Sequence, residues 1–130
     1  MKRYLLDTHV VLWALTAPRK LHAATRRILD EEPVFVSALS VWELLLKHSE
    51  GRLRLPDGSL IRAIEHAGAE FLPLRPEHAE AAAGLGSMHG DPVDRLLIGS
   101  ARVERMILLT CDAQVLERAA PLLGDLLMEA

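Results

Sequence analysis

The sequence predicts a layered α/β domain built on a mostly parallel sheet. Three observations carry that prediction. The apolar residues gather in short runs without alternation, as suits strands buried on both faces. Longer segments with apolar residues at helical spacing lie between the runs. Proline and glycine stand at the starts and stops that such helices require.

The elements follow in order. Tyr4-Leu5-Leu6 is a first strand ending at Asp7, and Asp7 can cap a helix starting at Thr8. Lys20 to Asp30 carries Leu21, Ala24, Ile28 and Leu29 at helical spacing. Val34-Phe35-Val36 is a second strand, ending at Ser37. Leu39 to Ser49 is a helix with apolar residues almost all round, stopped at Gly51. Ser59 to His66 is another, running on to Gly68. Phe71-Leu72-Pro73-Leu74 is a third strand, and its proline suits an edge position. Pro76 to Leu85 opens on a proline in the first turn, and Val93 to Arg105 follows Pro92. Ile107-Leu108-Leu109 is a fourth strand, closed by Thr110 and Asp112. Ala113 to Ala120 is a short helix stopped by Pro121, and Leu126-Leu127-Met128 supplies a fifth strand. The resulting order, β-α-α-β-α-α-β-α-α-β-α before the last strand, is that of a layered α/β domain.

A chain of 130 residues, half of them apolar, can bury one good core, so residues 1–130 read as a single domain. The lone cysteine, Cys111, excludes an internal disulfide and a thiolate zinc cluster and suits a reducing cytoplasm. No apolar run approaches the roughly 18 residues of a membrane span. Met1-Lys2-Arg3 is basic, but Asp7 interrupts the apolar stretch too soon for a secretory signal. The formal charge of −3 argues at first against a nucleic-acid partner.

The placing of the acids changes that argument. In open α/β sheets, ligands bind beyond the carboxyl ends of the strands. Asp7 and Asp112 stand there. Asp91 and Asp94, three apart, share a face of a helix's first turn, and Glu43 lies in an otherwise apolar helix. Each acid has a plainer alternative. Asp7, Asp91 and Asp112 can be ordinary N-caps, Asp94 an acid favoured by the helix dipole, and Glu43 a solvated or salt-bridged residue. Together they are harder to dismiss. Two carboxylates about 4 Å apart repel by about 4 kcal/mol at an effective dielectric of 20. Only three lysines occur in the chain, and none adjoins these acids in this reading, so a divalent metal is the natural counter-ion. Oxygen-only ligands point to Mg²⁺ or Mn²⁺. Such sites serve phosphoryl chemistry. Setting aside five of the 18 acids leaves 13 against 15 bases, a remainder of +2 that tolerates a polyanion. Twelve of those bases are arginine, which forks phosphate well.

These motifs resemble those of PIN-domain ribonucleases, near the VapC-like toxins of bacterial toxin–antitoxin pairs. Tyr4-Leu5-Leu6-Asp7-Thr8-His9 resembles the family's opening strand and first catalytic Asp. The stretch Val36 to Leu44 resembles the segment carrying the catalytic Glu, with Lys47 and Gly51-Arg52-Leu53 continuing it. His89 to Ile98 and Leu109-Thr110-Cys111-Asp112 resemble the third and fourth acidic segments. Val93 departs from a common aromatic, and Leu85-Gly86 from a common Leu-Pro. The resemblance implies a three-layer α/β/α sandwich of about five strands, in the order 3-2-1-4-5. It implies a catalytic, metal-binding quartet of Asp7, Glu43, Asp94 and Asp112. Asp91 is then an accessory acid, and Thr110 orients water or a carboxylate. It also implies an RNA substrate, a small cognate antitoxin and a homodimer. A second metal or Arg95 would stabilise the leaving oxygen. Attack by water would leave 5′-phosphate and 3′-hydroxyl ends.

Rival readings are a non-catalytic nucleic-acid-binding or interaction module of the same fold, an Mg-dependent phospho-acceptor domain, and an aspartyl phosphatase. The second lacks a lysine at a late strand end, and the third has His9 where a further Asp is wanted. His22, His48, His66 and His78 read as surface or helix-end residues, while His9 and His89 stand near the acids. Cys111 reads as a buried thiol. Trp13 and Trp42 read as packing residues, with Trp13 able to mark a partner groove.

Overall fold

The five strands run parallel in one sheet, in the order β3-β2-β1-β4-β5. In this computed structural model, residues 1–86 and 90–130 are described. β1 (Tyr4–Leu6) is central. It pairs with β2 (Val34–Ser37) through Leu5 and Phe35, and with β4 (Ile107–Thr110) through Leu5 and Leu108. β3 (Glu70–Leu72) and β5 (Leu127–Glu129) form the edges. The predicted order 3-2-1-4-5 is the one found.

Right-handed crossovers dictate which face each helix covers. The chain moves one way along the sheet from β1 to β3, then jumps past β1 and moves the other way. The helices α1 (Thr8–Thr16), α2 (Ala23–Glu31) and α4 (Leu60–His66) therefore lie on one face. Val10, Val11 and Ile64 meet Tyr4, Leu6, Val36 and Leu109 there. α6 (Pro92–Glu104) and α7 (Ala113–Leu123) lie on the other, where Leu97, Ile98, Val115 and Ala119 meet Leu5 and Leu108. α5 (Pro76–Ala83) packs on α6. α3 (Ala38–Ser49) sends Leu44 into the first core and Leu39 against the second. Successive strand residues thus feed opposite cores, which is why the runs carry no alternation.

Several boundaries differ from the sequence reading. The segment begun at Lys20 starts its α-helix only at Ala23, because Pro18 first sets a separate 3₁₀ turn over Pro18–Lys20. β3 ends at Leu72, before Pro73, and lies at the edge as the proline suggested. α7 runs through Pro121 to Leu123. A proline in a last turn removes one intrahelical bond while the helix is already ending. His78 is fully buried rather than at the surface. Its Nδ1 accepts from the Arg75 amide at 3.1 Å, so Nε2 donates to Glu104 Oε2 at 2.7 Å, tying the start of α5 to the end of α6. Trp42 is exposed on α3 rather than packed.

The α5–α6 contact depends on Gly99. A Cβ there would stand 2.8 Å from the Ala82 amide nitrogen and 2.9 Å from the His78 carbonyl oxygen, both backbone. Gly99→Ala should therefore cost about 1–3 kcal/mol by forcing the helices apart. Gly84→Ala, whose Cβ would meet nothing closer than 3.6 Å, should change little. Urea denaturation of both variants checks this, and equal stability of Gly99→Ala and wild type contradicts it.

Candidate metal centre

Every strand runs the same way, so the helices that follow β1, β2 and β4 start at one end of the sheet. Asp7 stands where β1 becomes α1. Its extended backbone (φ −66°, ψ 156°) makes it the N-cap, and Oδ1 accepts the Thr8 amide at 2.7 Å. Oδ2 accepts the Thr110 hydroxyl at 2.6 Å. The Thr110 oxygen in turn accepts the Asp112 amide at 3.1 Å. One buried hydroxyl thus fixes the end of β1 against the start of α7. Asp112 is the N-cap of α7, its Oδ1 accepting the Gln114 amide at 2.8 Å and the Val115 amide at 3.3 Å.

Asp91 caps α6 in the same manner, its Oδ1 2.7 Å from the Val93 amide, with Pro92 in the first turn. Asp94 lies in that same turn. Glu43 comes from α3, and α3 is held by its own cap, Ser37, which accepts the Leu39 amide at 3.1 Å. The Thr8 hydroxyl, donating to the Ser40 hydroxyl at 3.0 Å, ties α1 to α3. The residue Glu43 is only 8% exposed.

All five acids line one cleft of about 260 Å³ at the point where the sheet order reverses, between β1 and β4. Their electrostatics are those of crowded like charges. Burial pushes the Asp7 carboxyl up, against the hydrogen bonds from Thr110 and Thr8, which favour its ionised form. Asp94 is pushed up to about 7, first by burial and then by the charges of Asp7, Asp91, Glu43 and Asp112. The Cys111 thiol is pushed up to about 11 by burial and the nearby Asp7, so it stays a neutral thiol.

Among the described residues, no three ligand side chains close on a common point in finished metal geometry. What stands there is an all-oxygen donor set with more negative charge than its surroundings neutralise. That set fits a hard divalent cation such as Mg²⁺ or Mn²⁺. Asp91 and Asp112 each give one oxygen to a helix cap, which leaves the other for a ligand.

The cleft also takes in side chains that the sequence reading left out of it. Lys47 lies one turn beyond Glu43 with Nζ 3.7 Å from Oε2, so a lysine does adjoin the acids. Gln114 and Arg118 line the wall contributed by α7. Their four-residue spacing along a helix begun by Asp112 was the available signal. His9 lines the cleft as well, whereas His89 falls outside the described residues. Arg95 reaches from α6 to the carbonyls of Ala82 at 2.9 Å and Gly86 at 3.3 Å, and it is not among the side chains that line the cleft.

Comparison with known proteins agrees with this geometry. Residues 4–121 match the model of the PIN domain family. The chain is 31% identical over 126 residues to Ribonuclease VapC22 of Mycobacterium tuberculosis, covering 93% of this chain and 95% of that protein. In fold it is similar to VapBC2 from Rickettsia felis bound to a promoter DNA fragment (TM-score 0.71, 15% identity, 98% of each chain). It is similar also to a toxin–antitoxin complex from Klebsiella pneumoniae (TM-score 0.66, 13% identity, 96% of this chain and 95% of that one). A third similar structure is FitAcB from Neisseria gonorrhoeae (TM-score 0.62, 21% identity, 89% and 92%).

The crowding has a stability consequence of definite sign. With its folded pKa raised from 3.8 to about 7, Asp94 resists ionisation in the fold but not in the unfolded chain. It therefore weakens the metal-free protein as pH rises from about 4 through about 7. Asp94→Asn should stabilise the metal-free protein at pH 8 by on the order of 1–2 kcal/mol, allowing for solvent screening, and by nothing near pH 4. Urea denaturation in chelator at both pH values checks this. A variant no more stable than wild type at pH 8 contradicts it.

Proposed function

The chain belongs to the PIN domain family, and on that premise we propose that it is a metal-dependent endoribonuclease, the toxin of a toxin–antitoxin pair. The observation that carries this reading is the gathering of five carboxylates in one cleft, where their charges add to burial in raising Asp94. Asp7, Glu43, Asp94 and Asp112 are the catalytic and metal-binding acids, and Asp91 is accessory. The site takes Mg²⁺ or Mn²⁺. Such an ion, when bound, neutralises charge on the scissile phosphate and acidifies water.

The chain's own residues supply the rest. The Thr110 hydroxyl and the Thr8 amide hold both oxygens of Asp7, so that carboxylate is oriented before substrate arrives. The proton of the attacking water passes to a carboxylate oxygen of the acidic cleft. The water oxygen bonds to phosphorus as the bond to the 3′ oxygen breaks, and that oxygen gains a proton. The products carry 5′-phosphate and 3′-hydroxyl ends. Arg95 serves by bracing the first turns of α6 against the end of α5, which keeps Asp91 and Asp94 in place.

A cognate antitoxin is the partner this reading implies, in line with the complexes formed by the similar structures. Homodimerisation is part of the same reading. Trp42 and Leu45 of α3 and Ile61 of α4 are about half exposed, which is apolar surface for a second chain to cover. Among the described residues no helix is long and apolar enough to cross a membrane. The lone thiol supports a reducing cytoplasmic setting for the single domain.

The test is cleavage of single-stranded RNA by protein freed of any co-purified partner. Wild type with Mg²⁺ should cleave, and chelator should abolish cleavage. Asp7→Asn should reduce the rate by about 10² or more, consistent with loss of a charged group that acts in the transition state. Cleavage that survives both chelator and substitution contradicts the reading. Products with 2′,3′-cyclic phosphate contradict the water mechanism.

A further inference from the structure

Among the described residues, a lysine and an arginine line the acidic cleft, from different helices. Lys47 lies on α3, and its charge is already engaged by Glu43 at 3.7 Å. Arg118 lies on α7, one turn beyond Gln114, and its residue is exposed. Among the described residues no carboxylate stands within ion-pair distance of Arg118. The cleft between them carries five acids. An RNA strand entering it brings further negative charge, so it needs cations beyond those that neutralise the acids themselves.

Resting on the ribonuclease reading, we propose that Arg118 binds a phosphate of the RNA backbone adjacent to the scissile one and so positions the strand across the cleft. Three facts converge on it. Among the described residues its guanidinium is not held by a carboxylate. It stands on the helix that begins with Asp112, so its distance from the acidic centre is set by a rigid element. Its planar fork suits two phosphate oxygens. Arg95 is the contrasting case, with its guanidinium bonded to the carbonyls of Ala82 and Gly86. Lys47 differs too, since withdrawing it would leave Glu43 unpaired within the cleft.

The experiment measures binding and cleavage separately. Binding uses fluorescence anisotropy of a labelled single-stranded RNA oligonucleotide in Mg²⁺, in the cleavage-impaired Asp7→Asn background. Adding Arg118→Ala should weaken binding about fivefold. It should also make the slope of log affinity against log salt shallower by about 0.7, the value for one phosphate contact on a single strand. Arg118→Lys should restore part of the affinity. Arg102→Ala removes the same charge eight residues beyond Asp94 on α6, about 12 Å along that helix, and should leave binding and slope as they were. In otherwise wild-type protein, Arg118→Ala should raise KM while kcat changes little. An unchanged salt slope overturns the proposal. So does an affinity loss no larger than that of Arg102→Ala, or a fall confined to kcat. If wild type cleaves no RNA, the ribonuclease reading fails, and the anisotropy series still decides whether Arg118 meets phosphate.

Discussion

Mutual repulsion among five carboxylates is the constraint around which this molecule is arranged. A parallel sheet brings them together. Asp7, Glu43 and Asp112 come with the helices that follow β1, β2 and β4 and start at one end, and α6, which leads back into β4, begins at that end with Asp91 and Asp94. The same geometry supplies part of the remedy. Asp7, Asp91 and Asp112 are each the N-cap of a helix, where amide groups and the positive end of the helix dipole favour negative charge. Three helix termini therefore point their partial positive charge at one cleft. Thr110 completes the frame, since a single hydroxyl joins the carboxylate of Asp7 to the amide of Asp112. What the caps and Lys47 leave unneutralised adds to burial at Asp94, whose carboxyl the two together push up to about 7.

The fold was legible in the chain because buried parallel strands leave a pattern that few other elements leave. The runs at Tyr4, Val34 and Ile107 are apolar at every position, and each feeds residues to two cores. The misjudged boundaries have local causes. Pro18 diverts the chain before α2, and Pro121 is tolerated in a last turn. His78 looked like a surface residue because its acidic partner, Glu104, lies 26 positions away. No spacing rule reaches across two helices.

The site was legible in its acids and less so in its bases. Capping and ligand roles stood as alternatives for Asp7, Asp91 and Asp112 in the sequence. The structure makes the two compatible: the caps at Asp91 and Asp112 use one carboxylate oxygen and leave the other, and at Asp7, where both oxygens accept a hydrogen bond, each oxygen keeps a second lone pair. Glu43 stood out because an ionisable side chain in an apolar helix calls for a reason. Its neighbour Lys47 was within reach of the four-residue rule. Arg95 and Arg118 could not be told apart by sequence, since both follow a capping aspartate on a helix. Only the packing shows that one guanidinium is turned to the carbonyls of Ala82 and Gly86 while the other lines the cleft.

The central claim is that this charge is held in reserve for a divalent cation. Calorimetric titration of Mn²⁺ into partner-free protein at pH 7 tests it most directly. Saturable binding is expected, with proton release as Asp94 ionises, and with affinity reduced about tenfold or more by Asp7→Asn. Absence of saturable binding at millimolar Mn²⁺, or binding indifferent to Asp7→Asn, would contradict the account.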